Sequence, residues 1–129
     1  MSRTVGGGWH RTVELQDGER VLYEADAGWR NAPWLGSTRG KLYLTNQRLV
    51  WARARLQLPL PRQPILAIPM GDILGTQVKT PLFGSRYSLL VRTRERTYRF
   101  VLLPVSLEED IEACRDMIEK ARGSREAGS

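Results

Sequence analysis

The sequence predicts a mainly β domain with one C-terminal α-helix: about seven short strands form curled antiparallel sheets, a partly open barrel capped by that helix. Three observations predict it. Apolar and polar residues alternate over short stretches separated by Gly, Pro and Asn clusters. The one clear run of helical apolar period follows Pro104, near the end of the chain. The 129 residues, 41% hydrophobic and 26% charged, suit a single core of ordinary globular composition.

Residues 1–14, with Gly6-Gly7-Gly8, read as a flexible N-terminal lead-in to a domain over 15–122. Glu19 to Ala27 alternates weakly and reads as a first strand. Gly28 to Ser37 carries Asn31, Pro33 and Gly36 and reads as a loop. Leu42 and Leu44 then share one strand face while Arg39, Lys41 and Tyr43 share the other. Thr45-Asn46-Gln47 supplies turn chemistry, and Leu49-Val50-Trp51 starts the returning strand. Pro59, Pro61 and Pro64 rule out regular pairing in the next segment. Ile65–Ile68 and Leu74–Thr80 follow as short strands, with a loop at Pro81-Leu82-Phe83-Gly84 after them.

Tyr87–Thr93 and Arg96–Leu103 form the best-defined hairpin. With Arg94-Glu95 as the turn, Val91 faces Tyr98, Leu89 faces Phe100 and Tyr87 faces Leu102, giving one nearly apolar face. Arg92, Thr97, Leu90 and Arg99 fall on the other. Slipping the register by one residue would scatter both sets. Pro104 and Val105 close the sheet region. Ser106 and Glu109 have capping-box spacing at a helix start, and Leu107, Ile111, Cys114, Ile118 and Ala121 make one apolar stripe. Gly123 is placed to stop the helix, leaving 123–129 as a flexible tail or linker.

Composition narrows the function. One Cys and one His cannot build a Cys/His zinc site or an intrachain disulfide framework. The longest apolar run, Phe100 to Val105, includes Pro104 among its six residues, far short of a membrane span. No secretory core opens the chain, so the expected location is cytoplasmic, with peripheral attachment at a cytosolic membrane face open. His10 has no nucleophile beside it, and Cys114 lies on the apolar stripe. Acids at the helix start are explained by capping and the helix dipole. Neither an enzyme nor a cofactor is expected.

The formal net charge of +6 is concentrated in two clusters. Arg30, Arg39, Lys41, Arg48, Arg53, Arg55 and Arg62 occupy a stretch without Asp or Glu. Lys79, Arg86, Arg92, Arg94, Arg96 and Arg99 occupy another, opposed only by Glu95. Such segregation suits anionic lipid, nucleic acid or an acidic protein surface. Nucleic acid is disfavoured, because Tyr98 and Phe100 fall on the predicted core face and leave the basic face without stacking aromatics.

Gly40-Lys41-Leu42-Tyr43-Leu44-Thr45-Asn46-Gln47-Arg48-Leu49-Val50-Trp51 resembles the central motif of GRAM domains. Asp17-Gly18-Glu19-Arg20-Val21-Leu22 resembles their opening, and Ile68-Pro69-Met70-Gly71-Asp72-Ile73 a later segment. The stretch Thr45 to Trp51 is also similar to one in GLUE domains. The resemblance implies a pleckstrin-homology-like fold of seven strands in two nearly orthogonal sheets with a C-terminal helix. It also implies a non-catalytic module that binds phosphoinositide-like anionic lipid or, in the GLUE case, a protein such as ubiquitin; self-association is a further protein reading.

By that resemblance, phosphates meet a basic-x-basic pair on the second strand and basic residues of the preceding loop. Arg39-Gly40-Lys41 matches the pair, and Arg30 lies in the loop. Arg39 and Lys41 project from one strand face, and the forked guanidinium suits phosphate. The first basic position of the family pattern is Asp26 or Ala27 here. Trp29 and Trp34 flank the loop as candidates for a membrane interface, with burial as the alternative for each. Trp51 reads as core.

Overall fold

Nine strands and one α-helix occupy the described residues of the computed structural model, namely 3–7, 9–30, 38–54, 65–80, 87–103 and 106–127. The strands are β1 (Arg3–Val5), β2 (Val13–Leu15), β3 (Val21–Trp29), β4 (Thr38–Thr45), β5 (Arg48–Arg53), β6 (Ile65–Pro69), β7 (Ile73–Lys79), β8 (Ser88–Thr93) and β9 (Thr97–Leu102), and the helix is α1 (Glu108–Ala127). The proline-rich segment, the loop at Pro81–Gly84, Pro104 with Val105, and Arg55, Arg62 and Arg86 lie outside the described residues.

The seven predicted strands correspond to β3–β9, which form one antiparallel sheet in the order β6-β5-β4-β3-β9-β8-β7. The sheet does not close: β6 and β7 are its edges, joined by a 3-10 turn at Met70–Asp72. Alternation sends Ala27, Trp29, Leu42, Leu44, Leu49, Trp51, Leu66, Ile68, Leu89, Val91, Phe100 and Leu102 to one inner face. Ile111, Cys114 and Ile118 of α1 close over that core. Burial pushes the Cys114 thiol up to about 12, a contact with Tyr23 opposing it only in part.

The expected β8–β9 register is the observed one, with Leu89 opposite Phe100 and Val91 opposite Tyr98. The Arg94-Glu95 turn needs neither Gly nor Asn because Thr93 holds it. The Thr93 hydroxyl donates to the Arg96 carbonyl at 2.7 Å and accepts the Arg96 N–H at 3.2 Å.

Three local expectations are corrected. The stretch expected as a flexible lead-in contains β1 and β2, paired from Arg3–Leu15 to Val5–Val13. Gly6 and Gly7 hold φ of +88° and +111°, backbone open to glycine at little cost. This ribbon lays Val5 and Val13 on Tyr43, Val50 and Ala52, a second small core on the sheet's outer face. Strands of three residues are too short for a periodicity signal. At the other end, Gly123 does not stop α1, which runs to Ala127, because a glycine among good helix formers costs only about 1 kcal/mol. The Ser106 hydroxyl engages the sheet: it accepts the Leu102 N–H at 3.1 Å and donates to the Tyr87 carbonyl at 2.6 Å. Leu107 precedes the helix and is exposed.

The motif residues have structural roles. A Cβ at Gly40 would stand 2.5 Å from the Ala52 carbonyl and 2.6 Å from the Trp51 indole, so only glycine admits that ring. Trp51 Nε1 in turn donates to the Ala27 carbonyl at 3.1 Å. At the β4–β5 turn, Asn46 accepts the Arg20 N–H and donates to the Gly18 carbonyl, and Gln47 donates to the Asp17 carbonyl.

Glu19 is the centre of this junction. Its fully buried carboxylate accepts from Arg48 Nε at 2.8 Å, Arg48 Nη2 at 3.1 Å, Thr45 Oγ1 at 2.6 Å and the Gln16 N–H at 2.7 Å. Arg48 also donates to the Glu14 carbonyl of β2, and Arg3 of β1 to the Glu19 carbonyl. Burial alone would raise the carboxyl's pKa. The donors and the Arg48 charge outweigh it and hold Glu19 below its ordinary value.

Folded Glu19 therefore holds its proton less tightly than the unfolded chain does. Its contribution is complete above the ordinary pKa of 4.5 and is lost as pH falls through the lower folded value. Urea melts should show Glu19→Gln less stable than wild type by about 3 kcal/mol at neutral pH. That gap should narrow on acidification below the ordinary carboxyl pKa; a gap independent of pH would contradict this account.

Candidate basic site on the outer sheet face

Because Ala27 and Trp29 point inward, Gly28 and Arg30 point outward. The same alternation turns Arg39 and Lys41 of β4, Ser88, Leu90 and Arg92 of β8, and Thr97, Arg99 and Val101 of β9 outward. In β7, beyond an irregularity between Ile73 and Gly75, inward Val78 leaves Gly75, Gln77 and Lys79 outward. Register then fixes the neighbours. Gly28 lies opposite Arg39 on one side and Val101 on the other. Leu90 lies opposite Gln77 and Arg99, Arg92 opposite Gly75 and Thr97, and Lys79 opposite Ser88.

The pairing of β3 with both β4 and β9 thus joins basic clusters that are far apart in sequence. Arg30 is two residues past the partner of Arg39, a diagonal of about 7–8 Å between backbones. On its other side the Arg30 N–H donates to the Arg99 carbonyl at 2.8 Å. Arg99 is braced from below, its Nε donating to the buried Ser88 hydroxyl at 3.0 Å. Burial first, then the Arg30 charge, holds the Arg99 guanidinium below its usual pKa. Two arginines that are direct neighbours across a strand pair, on one face, favour an anion between them.

Lys41 lies among acidic groups. Its ammonium lies 3.1 Å from the Glu24 carboxylate and 5.7 Å from the Tyr43 ring centroid, and Asp26 is its cross-strand partner. These same acids, after burial, raise the Tyr43 phenol to about 12. Lys41 therefore stands at the acidic border of the basic surface. Among the described residues, Arg99, Arg92 and Lys79 make no ion pair, and β7, β8 and β9 contain no Asp or Glu.

Trp29 is buried, only 4% exposed, and so offers no surface to a membrane. It stacks edge-on against Trp51 at 5.3 Å and tilts against Tyr98 at 6.1 Å. Arg96 lies over both rings, 5.7 Å from Trp29 and 4.9 Å from Tyr98. The sequence reading ended the first strand at Ala27; pairing with β9 carries it on to Trp29 and turns the indole inward. Trp34, the other interfacial candidate, lies outside the described residues. Arg99 and Ser88 are the site residues that sequence reasoning missed. Alternation had put Arg99 on a polar face, but nothing local signals that this face adjoins Arg30.

The architecture matches solved structures. The N-terminal PH domain of Vps36 superposes with a TM-score of 0.60 at 16% identity, over 82% of this chain and 83% of that one. The hSac2 domain of the human phosphoinositide phosphatase Sac2 gives 0.66 at 11% identity, over 86% and 75%. The linker-DH/PH domains of p115-RhoGEF give 0.61 at 15% identity, over 83% of this chain and 30% of that one. The chain has a pleckstrin-homology-like fold. No family model matches the sequence, and no curated protein does. In this PH-like domain no helix among the described residues is long and apolar enough to cross a membrane.

Burial of Trp29 has a measurable consequence. Trp29→Ala should lower the unfolding free energy by about 3–5 kcal/mol in urea melts. A surface indole would leave it within about 0.5 kcal/mol of wild type.

Proposed function

We propose that this PH-like domain is a non-catalytic binding module that associates peripherally with anionic membrane, taking a phosphoinositide-like head group at Arg30, Arg39 and Lys41. Arg99 completes the set. The observation that carries the reading is the adjacency of Arg30 and Arg99 on an outward face, with Arg99 braced on Ser88. A phosphate with several acceptor oxygens relieves the repulsion between such groups, and guanidinium forks meet it in a bidentate way. The fold is compatible: one structural neighbour is a domain of a phosphoinositide phosphatase. Lys41 takes part with its ammonium shared with Glu24. On this reading the protein works at a cytosolic membrane face, held by charge and therefore sensitive to salt.

Vesicle sedimentation tests the proposal. The protein should pellet with phosphatidylcholine vesicles carrying phosphoinositide and remain in the supernatant with phosphatidylcholine alone, and binding should weaken as salt is raised. The Arg30→Gln/Arg39→Gln variant should lose at least about tenfold in affinity, more than Lys41→Gln loses. Equal recovery in the supernatant with every vesicle and salt would overturn the proposal, and capture of a protein partner without lipid would favour the protein-binding alternative.

A further inference from the structure

β7 and β8 turn exposed residues outward at Gln77, Lys79 and Arg92, while Ser88 of β8 and Val101 of β9 are buried on that same face. The inner face of β7–β9 carries the core and α1, which docks through Ile111, Cys114 and Ile118 and through a hydrogen bond from Thr76 to Glu119. The β1–β2 ribbon covers Tyr43, Val50 and Ala52 on β4 and β5 and lies elsewhere. The outer face of β7 and β8 presents Lys79 and Arg92, both exposed, with Gln77 and half-buried Leu90 between them and Thr97 of β9 beside Arg92. A recess of about 120 Å³ lies beside Arg92, lined by Gly75, Gln77, Leu90 and Thr97. A Cβ at position 75 would stand 3.2 Å from Arg92 Nη2, so glycine lets the guanidinium lie low over the strand.

Charge is opposed across this layer. Beneath the basic face, α1 turns Glu108, Glu109, Asp110 and Asp116 to solvent. The resulting field turns β7–β9 toward an anionic plane and the helix away from it.

We propose that the outer face of β7 and β8 is a second bilayer contact, in which Lys79 and Arg92 rest on anionic lipid head groups. This rests on the membrane reading above and deepens it. The domain approaches the bilayer on the flank of its sheet, with Arg30 and Arg99 at the border of that flank. The occupant is a bilayer rather than a nucleic acid, because no aromatic side chain of β7 or β8 is available to stack on bases. Each cation near an anionic surface contributes about 1 kcal/mol.

The test compares charge-matched double variants on phosphatidylcholine vesicles with and without phosphatidylserine. Lys79→Gln/Arg92→Gln should weaken binding to phosphatidylserine vesicles about thirtyfold and flatten its salt dependence. Arg115→Gln/Lys120→Gln removes the same charge from α1 and should change binding by less than about threefold. Thermal melts of both variants verify that the fold is retained. Wild-type affinity in Lys79→Gln/Arg92→Gln, or equal weakening in both variants, overturns this contact. If Arg30→Gln/Arg39→Gln still loses binding in that case, the head-group site survives without it. Failure of the wild type to bind any anionic vesicle removes both readings, and retention on poly(U) RNA without vesicle binding would reassign the surface to nucleic acid.

Discussion

Three residues of one strand hold the two halves of this sheet together. Ala27, Gly28 and Trp29 pair with β4 on one edge and β9 on the other. Without the second pairing, β3–β6 and β7–β9 would be separate antiparallel units with open edges and half a core each. With it, Trp29 is carried inward against Trp51 and Tyr98, and Arg30 is carried outward beside Arg99. One constraint therefore sets both the packing of the interior and the arrangement of charge on the exterior.

Residues that most resemble a family motif serve the scaffold. Gly40 makes room for Trp51, while Thr45 and Arg48 converge on the buried Glu19 carboxylate. A buried charge is tolerable only when its lone pairs are met, and here both oxygens of Glu19 are. The junction ties the N-terminal ribbon, the start of β3 and the β4–β5 turn into one unit. The charges facing outward come from elsewhere, mostly from strands that no part of the motif covers.

Legibility in the sequence followed range. The β8–β9 register could be read because its partners flank a two-residue turn and alternation leaves one apolar solution. The core side of α1 could be read at Ile111, Cys114 and Ile118, but its start could not, because Ser106 hydrogen-bonds to strands instead of acting only as the expected cap. Arg30, Arg39 and Lys41 were recognisable as a basic set. Their surroundings were not: Glu24 reaches Lys41 across a strand pair, and Arg99 reaches Arg30 across nearly seventy positions of chain. Glu19 and Arg48 are 29 residues apart, and no spacing rule joins them.

The central claim is that β3–β9 pairing makes one outward basic surface and that this surface meets lipid. Its most direct test is amide-resolved NMR of the protein on phosphatidylserine-containing nanodiscs bearing a paramagnetic label at the lipid head group. Signals of Arg30, Gln77, Leu90 and Arg99 should broaden strongly, while those of Ala113 and Asp116 on α1 persist. Broadening centred on α1, or on the β1–β2 ribbon, would contradict the account.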